Sequence, residues 1–70
     1  MQNAQGMPQI ESKNLGLIQD QMYHEALAVK KLQTYSSQIA EPQLKQFADD
    51  LAAHHRAHFN SLFQYLSTHN

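Results

Sequence analysis

Residues 38–47 read QIAEPQLKQF, and the proline at position 42 decides how the chain folds. A proline confines the residue before it, here Glu41, to extended geometry, and its fixed φ suits the first position of a new helix. One helix must therefore stop close to Ala40, and a second can open at Pro42. On the N-terminal side Leu15, Ile18, Met22, Val29, Leu32 and Ile39 recur at spacings of three and four or their sums, which predicts an amphipathic helix from about Asn14. Ser12 or Asn14 is placed to cap it, Asp20 falls in an early turn where the helix dipole favours an acid, and Gly16 is tolerable so near the end. On the C-terminal side Leu44, Phe47, Ala48, Leu51, Phe59, Leu62, Phe63 and Leu66 keep helical spacing nearly to the terminus. No strand pattern competes with either.

Two helices of about 26 residues, each about 39 Å long and joined by a link of a few residues, must fold back antiparallel. The expectation is an all-α chain with a helical hairpin over 14–70 and a flexible tail over 1–13, where one glycine and one proline interrupt any periodicity. Heptad spacing places 15, 18, 22, 25, 29, 32, 36 and 39 on the seam of the first helix and 44, 48, 51, 55, 58, 62 and 66 on that of the second. The layers from the link outward are then Ile39 with Leu44, Ser36 with Ala48, Leu32 with Leu51, Val29 with His55, Glu25 with His58, Met22 with Leu62, and Ile18 with Leu66. Two adjacent layers near mid-length are neither apolar nor small, and they hold Glu25, His55 and His58.

The histidines come from residues 54–58, HHRAH, three of the five in the chain. On a helix His55 and His58 share a face. A lone buried carboxylate costs several kcal/mol, so Glu25 needs a partner, and these imidazoles are the only polar side chains in the layers beside it. Two readings stand. Either the trio is a satisfied polar layer that fixes register, or it is a three-ligand set for a divalent transition metal such as zinc or iron. His54 lies at the edge of the seam, where a rim or dimer-interface role is expected. His24 and His69 should be solvated, Tyr23, Tyr35 and Tyr65 should sit at the boundary, and Lys30, Lys31 and Lys45 belong to wet faces.

Composition narrows the function. The chain has 70 residues, no cysteine and a net charge of −1 with histidine neutral, so no disulfide braces it and it lacks the positive field that holds nucleic acid. No apolar run approaches the ~20 residues of a membrane span, and the N-terminal stretch lacks the basic and apolar regions of a signal peptide. A soluble cytoplasmic chain is expected. No nucleophile and base arrangement or glycine-rich phosphate loop is visible, which predicts a protein without enzymatic activity. A core this small supplies only roughly 3 to 5 kcal/mol, and Phe47, Ala52, Phe59 and Phe63 widen the apolar face of the second helix beyond what one partner helix covers. Two hairpins should therefore pair into a twofold four-helix bundle, gathering both clusters around one cavity.

The run LGLIQDQMYHEALAVKKLQTYSSQIAEPQLKQFADDLAAHHRAHFNSLFQYL resembles the small ferritin-like helical-hairpin proteins of the spore coat protein F family. The resemblance rests on Glu25 in the middle of the first helix, on KKLQTYSSQIAEPQLKQF across the link, and on the HxxHFNSLFQYL ending. It covers nearly all of the chain after the tail. It implies half of a ferritin-like bundle, a homodimer that rebuilds four helices, and a structural role among other proteins of the bacterial spore coat. In ferritin-like di-iron proteins each half supplies a Glu from one helix and a Glu-x-x-His pair from the next. Glu25 matches the first place and His58 the last, but His55 stands where the second carboxylate would be. A site short of one carboxylate per half is less suited to bridging two irons, so oxidase chemistry is not carried over.

Overall fold

The computed structural model describes residues 10–68. The tail reading for residues 1–9 and the placement of His69 lie outside the described residues. The chain is a hairpin of two 27-residue helices, α1 (Ser12–Gln38) and α2 (Pro42–Thr68), packed against each other. Among the described residues there is no strand.

The link is built as Pro42 requires. At the C-cap of α1, Ile39 turns extended (φ −86°, ψ 126°) and its N–H donates to the Ser36 carbonyl at 3.3 Å. Glu41 then caps α2: its Oε1 accepts the Leu44 N–H at 2.6 Å, and its carbonyl accepts the Lys45 N–H at 3.0 Å. The side-chain bond satisfies one of the amides that the first turn of a helix leaves without a partner, and the carbonyl bond is the first rung of the helix itself. The start of α1 differs from expectation. Glu11 occupies the N-cap without a side-chain bond, so neither Ser12 nor Asn14 serves as the cap. With that start Asp20 lies in the third turn, beyond the reach of the dipole.

Every residue expected on the α1 seam is buried or half-buried, from Leu15 through Glu25 and Ser36 to Ile39. The α2 seam is rotated from the expected one. Ala48, Ala52, His55, Phe59, Leu62 and Leu66 turn inward, while Leu44 is 53 % exposed, Leu51 36 % and the His58 side chain 63 %. Leu51 and Leu44 therefore give way to Ala52, and His58 gives way to Phe59. The inward set alternates spacings of four and three without interruption, whereas the expected one breaks step between 62 and 66. Near the link the short connection holds the helices close, and only small side chains fit: Ser36, Ala48 and Ala52 are 4 %, 5 % and 3 % exposed.

A polar bracket secures this narrow end. The Ser36 hydroxyl donates to Asp49 Oδ1 at 2.5 Å, and Lys45 Nζ donates to the Ser36 carbonyl at 2.7 Å. Both bonds run from α2 to one residue of α1, so they resist sliding as well as separation.

The rotated seam has a direct test. Ala52→Leu forces a branched side chain into a position only 3 % exposed and should cost about 1 to 3 kcal/mol in urea unfolding. Ala53→Leu, on the exposed side, should stay within about 0.5 kcal/mol of the native chain.

Candidate metal centre

Glu25 sits at mid-length of α1, where the helix has already bound every backbone amide near it. Its carboxylate is turned toward α2 and the residue is 8 % exposed. A group so placed must find its partners among side chains. Oε1 accepts a hydrogen bond from His55 Nδ1 at 2.5 Å, and Oε2 accepts one from Gln21 Nε2 at 3.0 Å. His58 Nδ1 stands 3.6 Å from Oε2, beyond a hydrogen bond but within ion-pair range. An ionised carboxylate can only accept, so the His55 bond fixes its proton on Nδ1.

These contacts also set the charge state. The His55 hydrogen bond, followed by that from Gln21, holds the Glu25 carboxyl below its usual range, against the opposing effect of burial and with help from the charges of His55 and His58. Glu25 is thus an anion in the neutral-pH fold.

The structure brings together the three residues singled out in the sequence, although it reverses two of their layers. His55, expected opposite Val29, is the one that bonds Glu25, and His58, expected opposite Glu25, flanks the seam. The two imidazole rings meet edge to face, with centroids 6.1 Å apart and planes at 88°. One ligand atom from each of Glu25, His55 and His58 lies within 4.8 Å of the others, so the group could hold a metal ion. The donor set of one carboxylate and two imidazoles is the chemistry that zinc and divalent iron accept. Ligand atoms around a tetrahedral zinc at about 2.0 to 2.1 Å stand about 3.3 Å apart, so the 2.5 Å His55–Glu25 bond must open and its proton leave when an ion enters. Gln21 would go on orienting the carboxylate from its far side. Gln21 escaped the sequence reading, although its place four residues before Glu25, one turn back on the same face, was the available signal. His54 and His24 are exposed outside the trio.

Comparison with known protein families, with characterised proteins and with solved structures finds no match for this chain. No helix among the described residues is long and apolar enough to cross a membrane.

A carboxyl held below its unfolded value stabilises the fold at pH values above that unfolded value, near 4.5, and the contribution drains away as pH falls through the lower folded value. Unfolding titrations of the native chain and Glu25→Gln from about pH 6 down to about pH 3 should therefore converge, with the native chain losing more of its stability over that window.

Proposed function

We propose that the protein is a structural building block whose hairpin pairs with a second copy to complete a ferritin-like four-helix bundle. The observation that carries this reading is the poverty of the interior. Among the described residues no side chain is fully buried, while Leu17, Tyr23, Tyr35, Leu44, Phe47, Leu51, Phe63 and Tyr65 are all at least 36 % exposed. The molecule measures 55 × 18 × 10 Å, so its thinnest dimension is that of one helix layer and both broad faces are bare. Exposed apolar surface on this scale marks an interface, and a second two-helix layer is what a bundle adds. The resemblance to spore coat hairpins extends the proposal to its setting: a non-enzymatic component packing among other coat proteins of the bacterial spore.

A second reading, favoured by the Glu25, His55 and His58 geometry, is metal binding in the bundle. It requires no reaction, since three protein ligands and a bound ion brace two helices as a cross-link does.

Two measurements test these readings. Sedimentation equilibrium on the untagged chain at micromolar concentration should return twice the 8.0 kDa chain mass, and a monomer would refute the bundle. Under the metal reading, purified protein carries stoichiometric zinc or iron, and His58→Ala lowers both metal content and melting temperature. Chelation then brings the native chain toward the variant, whereas a melting temperature indifferent to chelation assigns the trio to structure alone.

A further inference from the structure

The two broad faces of the hairpin are not equivalent. On an α-helix, residues directly before and directly after a seam residue point to opposite flanks, and in an antiparallel pair the preceding residues of both helices share one face. The preceding positions on α2 include Phe47, Leu51, His54, His58 and Tyr65, with Leu44 one turn before Phe47. Those on α1 include Leu17, His24 and Tyr35, with Gln21, Ala28 and Lys31 between them. A groove lined by Asn14, Leu17, Ile18, Leu62 and Tyr65 joins the two stripes at the open end of the hairpin. The following positions carry Gln19, Lys30, Asp49, Arg56 and Asn60, with Tyr23 and Phe63 among them. Of the eight large exposed hydrophobics, Leu17, Tyr35, Leu44, Phe47, Leu51 and Tyr65 thus occupy one face, and only Tyr23 and Phe63 lie elsewhere.

That apolar face has a polar middle. Phe47, Leu51 and Tyr35 lie toward the link, Leu17 and Tyr65 lie toward the open end, and His24, His54 and His58 fall between them. A twofold axis through the centre of such a face sets each middle against its copy. Closing it without metal would strip water from His58, whose Nδ1 stands beyond hydrogen-bond distance of Glu25. A metal ion would supply what the closed interface lacks, since His58 can be drawn onto it together with His55 and Glu25.

We infer that a divalent metal at Glu25, His55 and His58 and a second copy of the chain on the Leu44–Phe47–Leu51 face are mutually reinforcing ligands, so that metal controls assembly. The inference rests on the pairing proposed above. By reciprocity, whatever factor the ion adds to dimer affinity the dimer adds to ion affinity.

The test is a dilution series of the full chain followed by sedimentation, once with zinc ion and once with a chelator. Zinc should tighten the dimer at least about tenfold, or about 1.4 kcal/mol, and should leave the His58→Ala dimer unchanged. Leu51→Glu, whose helicity is checked by circular dichroism, should be monomeric and bind zinc more weakly by the same factor. A chain that dimerises equally with and without zinc overturns the coupling and leaves the bundle standing. A chain that is monomeric in both series overturns the bundle and the coupling together. Failure of the wild-type dimer to retain zinc overturns the coupling on its own and needs no variant.

Discussion

Two helices lying side by side can protect only the stripe along which they touch, and that limit governs everything else in this chain. Along the stripe the interior consists of half-buried aliphatic and aromatic side chains, two alanines, a serine, a histidine and a glutamate. Dispersion and burial in so thin a seam cannot select one alignment of the helices, because a slide by one turn would exchange one aliphatic contact for another. Polar contacts supply the selection. Glu25 bonded to His55 at mid-length, and Ser36 bonded to Asp49 and Lys45 near the link, are specific pairs whose loss on sliding would leave buried acceptors and donors without partners.

Under the proposed pairing, the same limit ties the candidate site to assembly. A carboxylate in a thick core would be sealed by its own domain, but in a single layer it lies close to a broad face, and its third companion, His58, already projects from that face. The site is half inside the hairpin, at Glu25, and half on its surface, at His58. A metal or partner that engages His58 therefore acts on the seam through Glu25, and the seam in turn presents His58 at a defined height on the face.

Much of this was legible in the sequence, for identifiable reasons. Pro42 leaves little freedom in where the chain turns, and the inward face of α1 is legible because Leu15, Ile18, Met22, Val29, Leu32 and Ile39 keep one continuous stripe, even though Leu17, Tyr23 and Tyr35 lie off it. Glu25, His55 and His58 stood out because ionisable groups interrupt an otherwise apolar seam. The rotation of α2 was not legible. Its apolar residues cover more than one face, so Leu51 or Ala52, and His58 or Phe59, fit helical periodicity equally well, and the choice is made by how closely the link draws the helices together. The bracket from Ser36 to Asp49 was hidden for a related reason, since an aspartate beside the seam reads as a solvated charge until the opposite helix places a buried hydroxyl against it.

The central claim is that one broad face of the hairpin, the one bearing Leu44, Phe47 and Leu51, is covered by a second copy. Isotope-filtered nuclear Overhauser spectra on an equimolar mixture of labelled and unlabelled chain read that contact directly. The account predicts intermolecular cross-peaks from the methyl groups of Leu17, Leu44 and Leu51 and from the Phe47 ring. An absence of intermolecular cross-peaks, or their confinement to the opposite face around Ala26, Arg56 and Phe63, would contradict it.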